Sequence, residues 1–227
     1  MRNVAIILAG GEGRRMGGDR PKQFLDLGGR SVIERCVDAF EANGRIDEIA
    51  VVMHADYVEE MREMVKGNGW RKVSRVLCGG AERYLSTVAA LEAYKGVGEC
   101  NMLFHDAARP FVSERIINDV VDALKEYEAV GVAVPMTDTV FEVDERGGVV
   151  VSIPRRSSLR RAQTPQGFRY SVVARAYELA LKDEGFASTD DCGTVLRYVP
   201  EVKIHLVDGD ESNIKLTYKE DLKKTVI

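Results

Sequence analysis

Apolar positions along this chain follow two alternating rhythms. Short runs rich in β-branched residues read as strands: Val4 to Leu8, Glu48 to Met53, Val73 to Leu77, Asn101 to Phe104, Val130 to Val134 and Lys203 to Val207. Between them lie Ser31 to Ala42, Tyr57 to Val65, Glu82 to Tyr94, Ser113 to Tyr127 and Ser171 to Leu181. These stretches repeat apolar residues at three- and four-residue spacing, the period of a helix that buries one face. Ser31 with Glu34 makes a capping-box pattern, and Ser113 followed by Glu114 opens another helix. Strands alternating with helices of this length predict an α/β fold on a parallel sheet. Such sheets hold ligands beyond the carboxyl ends of their strands, so the loops that follow strands are where chemistry is expected.

One segment breaks the alternation. Thr139 to Val143, the turn-rich Asp144-Glu145-Arg146-Gly147-Gly148, and Val149 to Ile153 read as a β-hairpin. A lone hairpin is marginal and has to pack on something, for which a second copy of the chain is a natural candidate.

At 227 residues the chain suits one sizeable core, so a single domain over residues 1–227 is expected, with a β-arm at about 139–163. The longest apolar runs are strand-sized, far below the roughly 20 residues of a spanning helix. The start, Arg2 to Gly11, is too short for a secretory core and reads as a strand running into a loop. No membrane association and a cytoplasmic location are therefore expected. The cysteines (36, 78, 100 and 192) and histidines (54, 105 and 205) are scattered without zinc spacing. A formal net charge of −4 offers no footprint for nucleic acid.

Local charge changes the picture in the first loop, Leu8-Ala9-Gly10-Gly11-Glu12-Gly13-Arg14-Arg15-Met16-Gly17-Gly18-Asp19-Arg20-Pro21-Lys22-Gln23. Glycines allow close backbone approach, exposed N–H groups cradle phosphate oxygens, and Arg14, Arg15, Arg20 and Lys22 add cations. A polyphosphate suits that set. It is neither a Walker loop, since G-x-x-x-x-G-K-[ST] is absent, nor a dinucleotide fingerprint, since Met16 stands where Gly is needed. The pattern A-G-G-x-G-x-R-M followed by P-K-Q resembles the signature loop of sugar-phosphate nucleotidyltransferases.

Further motifs occur in order: His105-Asp106-Ala107-Ala108-Arg109-Pro110-Phe111, Thr137-Asp138-Thr139, Ala162-Gln163-Thr164-Pro165-Gln166-Gly167-Phe168, Thr189-Asp190-Asp191 and Asn213-Ile214-Lys215. Taken singly each has a plain structural reading: a strand end, a surface arginine, a turn at Thr164-Pro165, a helix cap at Thr189, an exposed Lys215. In sequence, from Ala9 to Leu222, they resemble the 2-C-methyl-D-erythritol 4-phosphate cytidylyltransferase family.

That resemblance implies a Rossmann-like, mostly parallel sheet with helices on both faces and an inserted β-hairpin dimerisation arm. It implies cytidylyl transfer from CTP to methylerythritol 4-phosphate, with pyrophosphate released. Arg15, Lys22 and Lys215 match catalytic positions. Ala9, Gly10, Gly11 and Gly13 match positions along the nucleotide, Gly80 and Ser86 the cytosine contacts, and Asp106 and Ala107 the ribose contacts. Arg109, Thr139, Arg156 and Thr164 match the acceptor-phosphate positions, with the arm reaching across a homodimer. Magnesium is implied, carried mainly by CTP phosphates, with Asp106 as a weak protein ligand. Departures from the family pattern are Ala81 and Tyr84-Leu85 before the serine, and Arg155 and Arg160, which make the stretch from Arg155 to Arg161 more basic. Two rival readings are a ribitol 5-phosphate cytidylyltransferase and a nucleotide-binding regulatory protein without turnover.

Overall fold

A computed structural model describes residues 1–11, 20–218 and 221. Strands β1 (Asn3–Ala9), β2 (Glu48–Met53), β3 (Val73–Cys78), β4 (Asn101–Asp106), β5 (Ala129–Pro135), β8 (Arg160–Arg169) and β9 (Ile204–Asp208) form one sheet. Its order is β3-β2-β1-β4-β8-β5-β9. The β1, β2, β3 and β4 pairings are parallel, as is β5 with β9, whereas β8 runs antiparallel to both its neighbours.

Both faces of the sheet are covered, which explains the unbroken apolar runs. Ala5, Ile7 and Ala9 of β1 pack on one side with α1 (Val32–Ala42), α2 (Val58–Asn68) and α4 (Glu114–Ala123). Val4, Ile6 and Leu8 pack on the other with α3 (Arg83–Ala93), α5 (Tyr170–Ala180) and α6 (Asp191–Tyr198). The alternation is the period of two expected of a strand. The capping box forms as read: Ser31 Oγ accepts from Glu34 N at 3.3 Å, and Ser31 N donates to Glu34 Oε2 at 2.8 Å. Ser113 caps α4 by accepting from Ile116 N, but the helix ends at Ala123, short of Tyr127.

Three readings need correction. The run around Thr164-Pro165 is no isolated turn; it lies inside β8, the longest strand, where pairing jumps from Val130↔Gly167 to Val132↔Gln163. That irregularity leaves three residues of β8 opposite Gly131 and accommodates a proline in a central strand, where a regular ladder would not. The cap of α6 is Asp190, whose Oδ1 accepts from Gly193 N at 2.8 Å, and not Thr189. The hairpin ladder is short: β6 (Glu142–Val143) pairs with β7 (Val150–Ser152), and residues 160–163 run in the main sheet. Its turn is closed by Asp144, whose Oδ1 accepts from Gly148 N and Val149 N. Phe141, Val143, Val149, Val150, Val151 and Ile153 are all exposed on it. Among the described residues no helix is long and apolar enough to cross a membrane.

Candidate active site

From β1 the chain builds β2 and β3 on one side, then returns to place β4 on the other. A crevice opens where the direction of construction reverses, beyond the strands' carboxyl ends. A cavity of about 580 Å³ occupies it, walled by Leu8 to Gly11 after β1, Gly80 to Arg83 with Ser86 after β3, and Asp106 to Ala108 after β4. Lys22 and Gln23 approach from the first loop, Lys215 and Thr217 from the end of the chain.

Glycine is required where two loops meet. A Cβ on Gly10 would stand 2.7 Å from Ser86 Oγ, and one on Gly79 would stand 2.6 Å from the same oxygen. Only bare backbone lets both loops close on the buried Ser86 hydroxyl. Gln23 fixes the turn after β1 from behind: it is buried, and its Nε2 donates to Ala9 O at 2.9 Å and Gly11 O at 3.2 Å. In a trans peptide the N–H opposes the C=O, so the Gly10 N–H points away from Gln23.

The cations are held by residues distant in sequence. Lys22 Nζ donates to Leu216 O at 2.8 Å, and Leu216 N donates to Ala108 O at 2.8 Å, which pins the last segment over the end of β4. Lys215 Nζ then pairs with Asp106 Oδ2 at 2.7 Å, while Arg83 Nε reaches Asp106 Oδ1 at 3.1 Å. Burial raises the Asp106 carboxyl, but Arg83 and then Lys215 more than reverse this, holding it well below the usual carboxylate range.

Behind Asp106 lies a chain of neutral hydrogen bonds. Asp106 N donates to Thr164 Oγ1 at 3.1 Å; that hydroxyl sits 3.0 Å from His105 Nδ1, and His105 Nε2 sits 3.0 Å from Arg109 O. A carbonyl only accepts, so Nε2 carries the proton and Nδ1 receives the threonine hydroxyl. Burial of the ring brings the His105 pKa down to about 4, which keeps this tautomer neutral. Arg109 is tied by Nη1 to Asn213 O at 2.7 Å and by Nη2 to Ala162 O at 3.3 Å.

Of the residues singled out above, Ala9, Gly10, Gly11, Lys22, Gly80, Ser86, Asp106, Ala107 and Lys215 line this cavity. Gly13 and Arg15, with Arg14, lie outside the described residues. Arg109, Thr139, Arg156 and Thr164 are not among the cavity's lining residues. Thr164 lies beneath it on Asp106; Thr139 and Arg156 are exposed around the hairpin, with Arg156 Nη1 donating to Thr137 O at 3.1 Å. Sequence reasoning gave no role to Gln23, inside the first loop, or to Arg83, inside the helix expected from Glu82 to Tyr94; nothing local marks a glutamine or arginine as turned inward. Among the described residues no three His, Cys, Asp or Glu side chains converge as a metal cage.

The family model described as IspD, 2-C-methyl-D-erythritol 4-phosphate cytidylyltransferase, matches residues 3–226. The 2-C-methyl-D-erythritol 4-phosphate cytidylyltransferase of Thermobifida fusca is 48% identical over 225 residues, covering 97% of this chain and 90% of that protein. The bifunctional ribulose 5-phosphate reductase/CDP-ribitol pyrophosphorylase Bcs1 of Haemophilus influenzae is 36% identical over 222 residues, 97% of this chain and 47% of that one. Among solved structures, the 4-diphosphocytidyl-2C-methyl-D-erythritol synthase of Anaerococcus prevotii aligns with a TM-score of 0.85 at 32% identity, covering 99% of this chain and 96% of that one.

Proposed function

The chain belongs to the 2-C-methyl-D-erythritol 4-phosphate cytidylyltransferase family, and on that premise we propose how its own residues carry the reaction. The enzyme transfers the cytidylyl group of CTP to 2-C-methyl-D-erythritol 4-phosphate in non-mevalonate isoprenoid biosynthesis. A phosphate-monoester oxygen of the acceptor attacks the α-phosphorus of CTP, and pyrophosphate leaves in line. The acceptor's second pKa lies near 6, so at neutral pH the nucleophile is already mostly dianionic and needs no general base. The remaining difficulty is to gather anions and to offset charge on the pentavalent phosphorus, which is work for fixed donors and cations.

In this reading the cytosine enters between Gly10 and Gly80 against the Ser86 hydroxyl, the ribose meets Asp106 and Ala107, and the triphosphate lies along the turn after β1. The observation that carries it is the meeting of Lys22 and Lys215 in one cavity, joined through the Lys22–Leu216 hydrogen bond. Lys22 and Lys215, together with Arg15, would take the phosphate oxygens. Lys215 is 40% exposed at its side chain, free enough to turn from Asp106 toward an arriving phosphate. Arg109, Thr139, Arg156 and Thr164 would serve the acceptor, with the arm bringing Thr139 and Arg156 to a neighbouring copy. The exposed apolar face of the hairpin supports a homodimer built through that arm.

Among the described residues the cavity-lining carboxylates are Asp106 and Glu82, and both Asp106 oxygens already face cations. This donor set fits magnesium that arrives on the triphosphate and is held mainly by its oxygens, with Asp106 as a weak protein ligand, rather than an all-protein cage. Bound there, the ion would supply charge neutralisation across the phosphates. We further propose a single domain and a cytoplasmic location.

The test is pyrophosphate release with CTP, magnesium and either methylerythritol 4-phosphate or ribitol 5-phosphate, with ATP, GTP and UTP in parallel. Turnover confined to CTP and methylerythritol 4-phosphate is expected. A preference for ribitol 5-phosphate would overturn the acceptor assignment, and nucleotide bound without turnover would overturn the catalytic one.

A further inference from the structure

The motif Thr189-Asp190-Asp191 has no part in the reaction described so far, yet its two carboxylates divide two tasks. Asp190 serves local structure: it caps α6, and its Oδ2 accepts from Gln166 Nε2 at 2.7 Å. Asp191 turns inward and is fully buried. Its Oδ1 accepts from Thr87 Oγ1 at 2.9 Å and Tyr177 OH at 2.6 Å, and its Oδ2 faces Arg83 Nη2 at 2.8 Å. Asp191 does not line the cavity; Arg83 does. We propose that Asp191 is a positioning residue for cytidylyl transfer, which acts through Arg83 to hold Asp106 in the orientation that receives the nucleotide.

Charge and geometry support this. Asp191, Arg83, Asp106 and Lys215 form a line of alternating charge from the core to the cavity mouth, at 2.8, 3.1 and 2.7 Å. A carboxylate with no exposure is a costly thing to keep, and stabilising α6 does not require it, because Asp190 already caps that helix. Arg83 gives Nε to Asp106 and Nη2 to Asp191, so neither carboxylate takes the whole guanidinium. Without the charge on Asp191 the fork is free to turn onto Asp106 and engage both its oxygens. Lys215 would then be displaced and the carboxylate drawn from the cavity. The two motifs that flank this line are also locked together: Gln166 Oε1 accepts from both Asp191 N and Cys192 N at 3.1 Å.

The inference rests on the assignment of Asp106 to the nucleotide, and the experiment separates the two. Pyrophosphate release by the full chain would be followed for Asp191→Asn, Arg83→Gln, their combination, Asp106→Asn and Asp190→Ala, with KM for each substrate, kcat and melting temperature. Asp191→Asn should raise the KM for CTP about tenfold, as loss of an outer partner of a ligating group does. The KM for methylerythritol 4-phosphate should stay within about twofold, and the double variant should be no worse than Arg83→Gln alone, because both changes break one chain. Asp190→Ala should melt lower with an unchanged KM for CTP, which marks the effect of Asp191 as more than structural. A folded Asp191→Asn protein with an unaltered KM for CTP overturns the inference, as does full additivity in the double variant. If Asp191→Asn does not fold, an unaltered KM for CTP in Arg83→Gln overturns it instead. An unaltered KM for CTP in Asp106→Asn would show that the nucleotide assignment itself is at fault, and the inference would fall with it.

Discussion

Gly10→Ala tests the closure of the two nucleotide loops directly. The new methyl would lie 2.7 Å from Ser86 Oγ, while the next atoms, Gly80 O at 3.7 Å and Gly79 Cα at 3.9 Å, stand at ordinary contact. Comfortable separation for such a pair is about 3.5 Å, so one side must retreat by roughly 0.8 Å. The Ser86 oxygen has little room to do so, since its side chain is buried. Overpacking of this kind costs about 1–3 kcal/mol, and in a chain of this length each kcal/mol lowers Tm by about 2–4 °C. The expected fall is about 2–12 °C, with a raised KM for CTP because the base-binding wall is displaced. The clash involves one atom, so Ser86→Ala in the same chain should recover most of the lost Tm while CTP binding stays weak. Differential scanning calorimetry and steady-state kinetics on the two single variants and the double variant decide it. If Gly10→Ala matches the parent in Tm and KM, or if Ser86→Ala brings no recovery, the close approach is not what requires glycine there.

Lys22→Ala should lower turnover by about a hundredfold, or about 3 kcal/mol, the usual loss for one transition-state donor; a change below about threefold would remove Lys22 from the mechanism. Stability should fall on mild acidification because of His105. Its folded pKa is about 4, and its unfolded value is about 6.5. Below the latter the unfolded chain takes a proton that the buried ring refuses, so roughly 3 kcal/mol is lost as pH drops from about 6.5 to 4. His105→Gln should flatten the melting curve's pH dependence in that window, and an equally steep profile would refute the assignment. Replacing Val149, Val151 and Ile153 by serine should yield a monomer in sedimentation that is poorly active, whereas a parent that is already monomeric would refute the arm-built dimer.

Much of the fold was legible because it follows from local periodicity. Unbroken apolar runs mark β1, β2 and β4, each buried on both faces, and the serine caps mark where α1 and α4 begin. The glycine-rich turn and Lys22 were likewise readable, since loops that follow parallel strands are where such sheets hold ligands, whereas Asp106 entered only through the family resemblance. Strand β8 was not, because Thr164-Pro165 speaks locally for a turn and its antiparallel place depends on strands β4 and β5 being there to accept it. Nor could the pattern tell that Asp190 and Asp191, adjacent in sequence, would face different tasks. The pairings Asp106–Lys215 and Arg83–Asp191 join distant parts of the chain, and no residue reports its partner through its immediate neighbours. Periodicity encodes which face of an element is buried; which charges then meet depends on the order in which the elements pack, and that order exists only in the folded chain.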